Sequence, residues 1–357
     1  MILKKAFLYP TLTCNLNCIM CYSKSEDPGK KKEMTLEQYR ELVAKLYKVG
    51  VRHFDISGGE PFLYRDLEPL VREIKSYPDT RIDLVSNGTL IASRYEKDIR
   101  RILEKVDQVF LSLDSMDADK HDSIRRGEGA FEKTMAAIRL VQRDFQGKIG
   151  INCVVSEENR DQVDPLLEFV RQEKIAYISF LRYIDVSSNK KNLNLYVQEN
   201  IELYQKVLSF VKNQREEEFL PKIEIGMPGY MVPLLKKQIV RHPAISVYYD
   251  PIRGCHAYEG NFAVTSDGEV TGCTAMVKYL KLSCGNVTTD SMEKIQSRLQ
   301  QKKELLRDRE TLLKTKEPCK SCEYFSYCRG GCPAAAIQRY GTIMMPDPSC
   351  AKQSGNK

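Results

Sequence analysis

The sequence of 357 residues contains no apolar run near the ~18 residues a membrane span requires. Its start, MILKKAFLYP, passes into a strand-like pattern instead of a cleavable signal. These absences predict a cytoplasmic chain with no membrane partner. Cysteine is missing from a long stretch as well: none of the twelve falls between Cys21 and Cys153, while eight crowd between Cys255 and Cys350. Without an export signal a disulfide framework is disfavoured, and reduced thiols clustered in this way are the pattern of soft ligands closing around metal centres. A stripe of one charge is also lacking. The 55 basic and 48 acidic residues are interspersed, giving a net +7, and the segment DSMEKIQSRLQQKKELLRDRETLLKTKE (290–317) alternates sign as an exposed helix does. A mixed, solvated surface with no nucleic-acid partner follows. There is no low-complexity tract and no repeat beyond a strand–helix period.

That period organises the first half of the chain. AFLYPTL, HFDIS, IDLVS, VFLSL, IGINCVV and YISFL read as six strands, each bounded by turn residues or charges. Helices alternate with them. In the first, Thr35 is the N-cap with Gln38 three residues on, Leu36, Tyr39, Leu42, Val43 and Leu46 form one apolar face, and Gly50 ends it. Others are predicted near 66–76, 93–105, 131–144 and 159–172. Six βα units are too few for an eight-stranded barrel, so an α/β fold with an open, partial (β/α)6 barrel is expected, its site at the C-terminal strand ends. The predicted organisation is a barrel over 1–182, a bridge over 183–254 that is polar, then helical, then rich in Pro and Gly, and a cysteine-rich module of short strands and helices over 255–357. In that module AVTSDGEVTGC reads as a hairpin around Asp267 and Gly268.

Cys14, Cys18 and Cys21 form CxxxCxxC directly after the first strand. Three thiolates on a short loop can hold three corners of a [4Fe-4S] cube and leave the fourth iron open. Zinc competes for such thiolates, but a structural zinc needs a fourth protein ligand that no nearby Cys or His supplies. Further polar groups stand at the ends of later strands: Gly58-Gly59-Glu60-Pro61, Ser86-Asn87-Gly88, and Ser112-Leu113-Asp114 followed by Arg125 and Arg126. Together these resemble the radical S-adenosylmethionine (SAM) superfamily. The resemblance implies SAM chelated to the open iron and cleaved to a 5'-deoxyadenosyl radical, with Gly58, Gly59 and Glu60 at its amino group, Ser112 at the ribose and Arg125 or Arg126 at the carboxylate. Ser86, Asn87 and Met20 would also line the cofactor. Met20 stands where the family favours an aromatic residue. Ile178 matches an apolar position against which adenine packs, and it also suits an ordinary barrel core.

Cys255, the GxxxxC of Gly268 and Cys273, the CxxCxxxxxCxxxC of Cys319, Cys322, Cys328 and Cys332, and Cys350 resemble the SPASM module of the same superfamily. Taken alone, the CxxC pair suits zinc as well. The resemblance implies two auxiliary [4Fe-4S] clusters, hence three in all. Cys255, Cys273 and Cys332 would hold the nearer one, and Cys319, Cys322, Cys328 and Cys350 the outer one. The nearer cluster then lacks a ligand, since Asn261 stands where some relatives have cysteine. Cys284, in LSCGNV, is the expected substitute; otherwise an iron stays open. Cys153, in INCVV, is either a buried core thiol or a hydrogen-atom donor.

The resemblance implies hydrogen abstraction from a substrate C–H bond and, with an electron passed to an auxiliary cluster, a two-electron oxidation. A ribosomal peptide is the favoured substrate, modified by a thioether or C–C crosslink or by epimerisation. The alternatives are a sugar or tetrapyrrole enzyme of the same chemistry, or a non-catalytic zinc-binding interaction protein. Sulfatase maturases carry an aspartate at the position of Thr274, which argues against their reaction here. Tyr183, Asp185 and Glu259 are the candidates for a base. A flavodoxin- or ferredoxin-like donor is expected to supply electrons. Since the chain starts at the first strand, any leader recognition is assigned to a separate protein or to the bridge.

Overall fold

The computed structural model describes residues 3–23, 32–184, 193–195, 197–215, 218–226, 228–229, 231, 242–247, 255–277, 279–350 and 352. Among the described residues there are ten strands: β1 Lys5–Thr11, β2 His53–Gly58, β3 Arg81–Ser86, β4 Gln108–Ser112, β5 Lys148–Val155, β6 Tyr177–Arg182, β7 Lys222–Ile225, β8 Ile245–Val247, β9 Asn261–Val264 and β10 Val270–Thr271. They form one sheet in the order β10-β9-β1-β2-β3-β4-β5-β6-β7-β8. The first nine pair in parallel, and only β10 runs antiparallel, beside β9. The six expected strands are all there, side by side in one parallel sheet as the expected partial barrel requires.

Two strands were not anticipated. KIEI and ISV lie in the stretch read as a bridge, and β7 and β8 continue the sheet beyond β6. Their short alternation is masked in sequence by flanking Pro and Gly. The hairpin of β9 and β10 closes around Gly268, whose φ of +89° suits glycine, and β9 pairs with β1. The C-terminal region thereby joins the opposite end of the same sheet.

Alternation along the strands separates two faces. Ile149, Ile151, Cys153 and Val155 of β5 are buried together with Leu166, Leu167 and Val170 of the helix Val163–Gln172. The other face is polar near the N-terminal strand ends, where Lys5 pairs with Asp55 (3.1 Å) and His53 and Arg81 meet Asp83 (2.7 and 2.9 Å). The first helix, Leu36–Lys48, carries the full capping box of Thr35 and Gln38, a device worth about 1 kcal/mol. The helix expected near 93–105 is interrupted by a π-helical turn at Tyr95–Ile99.

The long helix Met292–Lys314 differs from its predicted exposed character. Met292, Ile295, Leu299, Leu306, Arg309 and Leu313 make a buried seam along it. Alternating charges on the outer faces hide this seam in the sequence. No helix among the described residues is long and apolar enough to cross a membrane.

Candidate functional site

Cys14, Cys18 and Cys21 lie on the loop leaving β1, exposed at Cys14 and half-buried at the other two. The end of β2 shapes this loop through backbone contacts: Gly59 N donates to Thr11 O and Glu60 N to Thr13 O, both at 2.8 Å. A side chain at Gly59 would sit 2.0 Å from Thr13 O, and one at Gly58 2.3 Å from Thr11 O, with φ at +121°. The expected reason for these glycines was close approach of a ligand. The structure shows a nearer cause, because the cysteine loop itself approaches them.

Glu60 is wholly buried and collects the next strand end. It accepts from Ser86 Oγ (2.9 Å), Asn87 N (2.9 Å) and Phe62 N (3.3 Å). Burial pushes its carboxyl up to about 7 against these hydrogen bonds. Asn87 in turn donates to Asn15 Oδ1 (2.9 Å) and reaches Cys14 Sγ (3.8 Å), so the ends of β2 and β3 and the cysteine loop form one network. Asn15, which also donates to Thr89, went unnoticed in the sequence because an Asn between two cysteines carries no distinctive spacing.

On the other side, Arg125 ends the helix Ala118–Arg125 and reaches Cys18 Sγ at 3.8 Å. Its partner is Asp114, 0% exposed and 2.6 Å away. Burial works against the Arg125 charge, but Asp114 and Cys18 outweigh it and hold the guanidinium above its ordinary range. Arg126 is exposed and left-handed, so of the two arginines it is Arg125 that faces the cysteines. Ser112 is half-buried at the end of β4, opposite Asn152. Met20 is buried against Ile124, Tyr183 and Leu193 beside Cys18.

Ile178 and Cys153 lie elsewhere. Ile178 is the second residue of β6, paired with Ile151 on the helix-covered face and fully buried. Cys153 shares that face; its thiol lies 3.9 Å from Asp114 O, and burial pushes its pKa well up. Both positions read as core. Among the candidate bases, Tyr183 is buried behind Met20, Glu259 is ion-paired to Lys303 (2.7 Å) and His256 (3.6 Å), and Asp185 lies outside the described residues.

The C-terminal cysteines fall into two groups. Burial raises the thiols of Cys255 and Cys273, and the nearby charge of Cys332 raises both further. Cys319, Cys322, Cys328 and Cys350 line a single cavity with Pro318, Phe325 and Pro346. Burial pushes Cys319 up to about 11 and Cys328 up to about 12, with the other cysteines of the cavity adding to it. Cys284 is fully buried and lies 3.9 Å from Leu282 O; burial pushes its thiol up to about 12, with Lys302 and Arg298 opposing. Tyr258 feels Cys284 as well as Cys273 and Cys255, and its ring fills the space beside Gly272.

Two contacts tie the C-terminal groups to the barrel. Arg182, at the end of β6, forms a bidentate pair with Asp347 (2.8 and 2.6 Å). Asp347 also accepts from Cys332 N and Ser349 N (both 2.9 Å). Burial disfavours its charge, yet Arg182 and these donors hold the carboxyl down at about 2. Tyr22, directly after Cys21, meets Thr274 and Tyr9 through its hydroxyl and feels the charge of both Cys273 and Cys21, burial raising its pKa first. None of Tyr22, Arg182 and Asp347 belongs to a motif, so only the fold discloses them.

The donor sets fit iron–sulfur clusters: all thiolate, three on one loop and four around one cavity. Among the described residues no three Cys, His, Asp or Glu converge as a single metal ion requires. Two family models match the chain, the radical SAM superfamily over residues 8–170 and an iron–sulfur cluster-binding domain, SPASM, over residues 255–323. The chain belongs to the radical SAM superfamily. This radical SAM protein is 26% identical to an AdoMet-dependent heme synthase of Methanosarcina barkeri, over 97% of this chain and 96% of that one. It is 25% identical to the mycofactocin maturase MftC of Mycolicibacterium smegmatis, over 97% and 82% of the two chains. Its fold matches Streptococcus suis SuiB bound to precursor peptide SuiA with a TM-score of 0.73 and 19% identity, covering 97% of this chain and 75% of SuiB.

Proposed function

We propose that this radical SAM/SPASM enzyme is an oxidoreductase carrying three [4Fe-4S] clusters, one on Cys14, Cys18 and Cys21 and two auxiliary ones on the C-terminal cysteines. When bound, SAM and its cluster would supply, with an electron from a flavodoxin- or ferredoxin-like donor, the 5'-deoxyadenosyl radical chemistry of hydrogen abstraction, and the auxiliary clusters would take up the substrate's second electron while a base takes its proton. The observation that supports this reading is the packing of Tyr9 on β1 and Leu12 just after it, where the chain enters the cysteine loop, with Val277, four residues after Cys273; this contact draws the N-terminal loop and the C-terminal region together.

The chain's own residues then have definable tasks. Asp114 fixes Arg125 beside Cys18, where the guanidinium would receive the SAM carboxylate. Glu60 locks the ends of β2 and β3 around Cys14, and Met20, Gly58, Gly59, Ser86, Asn87 and Ser112 frame the cofactor from the surrounding strand ends. Ile178 is left out, because it faces the helices. Cys255, Cys273 and Cys332 would hold the nearer auxiliary cluster, and Cys284, buried against Leu282 O, is left out of the set.

For the substrate we favour a peptide, in line with MftC and with the fold shared with peptide-bound SuiB. A tetrapyrrole is the second reading, favoured by the match to a heme synthase along nearly the full length of both chains. Metal and sulfide analysis after anaerobic purification, followed by mass spectrometry of a peptide encoded beside the gene and of an iron tetrapyrrole, each incubated with SAM and reductant, separates these. Loss of two mass units from the peptide supports the first reading, and a side-chain mass change on the tetrapyrrole the second. A colourless protein with stoichiometric zinc and no sulfide overturns both.

A further inference from the structure

The buried seam of the helix Met292–Lys314 contains one charged residue, Arg309, which is 2% exposed. A guanidinium has five N–H donors, and all five are engaged by backbone carbonyls. Nε donates to Ile343 (2.5 Å), Nη1 to Arg329 (3.3 Å) and Gly331 (3.2 Å), and Nη2 to Gly330 (2.8 Å) and Met345 (2.9 Å). Three of these carbonyls belong to the turn that joins Cys328 to Cys332, and two to the segment leading to Asp347 and Cys350. Successive left-handed residues, Arg329, Gly330 and Gly331 with φ of 49°, 81° and 70°, aim the turn's carbonyls at one point. A side chain on Gly330 would strike Leu313 at 2.3 Å, and one on Gly331 would strike Asp347 at 2.4 Å.

The charge of Arg309 is offset by an acid, Asp347, but without a direct ion pair. Among the described residues no carboxylate is ion-paired with it, for Asp347 is engaged by Arg182 and Glu310 by Arg329. Burying an unpaired ion costs several kcal/mol, and carbonyl dipoles offset only part of that. The groups whose charge reaches Arg309 are Cys332, Asp347, Cys255 and Cys328, and Cys319 feels Arg309 in turn. These cysteines come from both auxiliary sets. Thiolate-ligated clusters are anionic, and each gains a further negative charge on reduction, so a fixed cation between them in a low-dielectric interior favours the reduced state.

We propose that Arg309 is the shared counter-cation and spacer of the two auxiliary iron–sulfur sites, fixing the Cys328–Cys332 turn between them and raising the reduction potential of both. This rests on the cluster assignment above. The test is an EPR-monitored redox titration of the reconstituted full-length chain in a C14A/C18A/C21A background, where auxiliary iron is the iron that remains. Arg309→Met is expected to move the auxiliary signals to more negative potential. Arg309→Lys, which keeps the charge but not the five-donor fork, is expected to restore the potential toward that of the parent while losing iron faster to a chelator. Full iron at unshifted potential in Arg309→Met overturns the proposal, as does an Arg309→Lys protein indistinguishable from it in potential. If Arg309→Met fails to hold auxiliary iron, Arg309→Lys decides: iron retained near the parent potential supports the charge role, and iron lost overturns it. A parent protein with no auxiliary iron refutes instead the cluster assignment.

Discussion

At the N-terminal cysteine loop, three cysteines within eight residues take their shape from neighbouring strand ends, chiefly through backbone contacts to Gly59 and Glu60. At the C-terminal groups, cysteines scattered from Cys255 to Cys350 are gathered by buried charges, Asp347 and Arg309, whose partners lie far away in sequence. The contrast is one of range: the first site is shaped by contacts between one loop and adjacent strand ends, the second by buried charges whose partners are remote in sequence. Each is therefore vulnerable to a different kind of substitution, and each responds to pH in a different direction.

The largest effect is expected from Gly59→Ala. The added methyl would have to displace Thr13 O, 2.0 Å away, and a displacement of about 1 Å in a reacting group can cost roughly 100-fold in rate. Formation of 5'-deoxyadenosine should fall by that order while auxiliary iron is kept; an undiminished rate would mean that strand ends do not shape the loop. Asp347→Ala should act on the other side of the comparison. It breaks the buried bidentate pair with Arg182 and removes the acceptor of Cys332 N and Ser349 N, at a cost of about 3–5 kcal/mol, read as a drop in thermal stability and loss of auxiliary iron. A loss under ~1 kcal/mol would show that the C-terminal groups are held by packing instead.

The pH responses sharpen the contrast. The folded pKa of Glu60 is raised from 4.5 to about 7, so the native state holds this proton more tightly than the unfolded chain. Its contribution falls as pH rises through that window and stays low above it, on the order of 3 kcal/mol in all. Glu60→Gln should flatten this slope in chemical-denaturation curves between pH 5 and 7. Asp347 behaves oppositely: with a folded pKa of about 2 against 3.8, its stabilisation is present at neutral pH and is lost only as pH falls toward 2. The smallest effect is assigned to Cys284→Ala, which should leave the iron content unchanged. A loss of iron there would return Cys284 to the ligand set.

Much of this architecture was legible before the fold. The six strands, the first helix with its capping box and the hairpin at Gly268 follow from local periodicity and turn chemistry, and the cysteine spacings marked both cysteine-rich regions. What escaped depends on distance in sequence. KIEI is too short to announce β7, and nothing near Arg309 distinguishes it from the other charges of its helix until the turn at Arg329–Gly331 folds against it. Arg125 and Arg126 are equivalent neighbours in sequence; helix phase and the left-handed turn at Arg126 separate them. Ile178 was matched by motif position, yet strand alternation turns it to the helices. Cys284 was matched by proximity in sequence, and the hairpin carries it toward Lys302 and Arg298.

The division of labour between the two cysteine regions is tested most directly by assaying 5'-deoxyadenosine from SAM and dithionite in a C14A/C18A/C21A variant and in a C273A/C332A variant, with iron and sulfide counted in each. The proposed mechanism predicts no 5'-deoxyadenosine but retained auxiliary iron in the first, and continued 5'-deoxyadenosine formation with reduced iron in the second. Persistent SAM cleavage in C14A/C18A/C21A would contradict it.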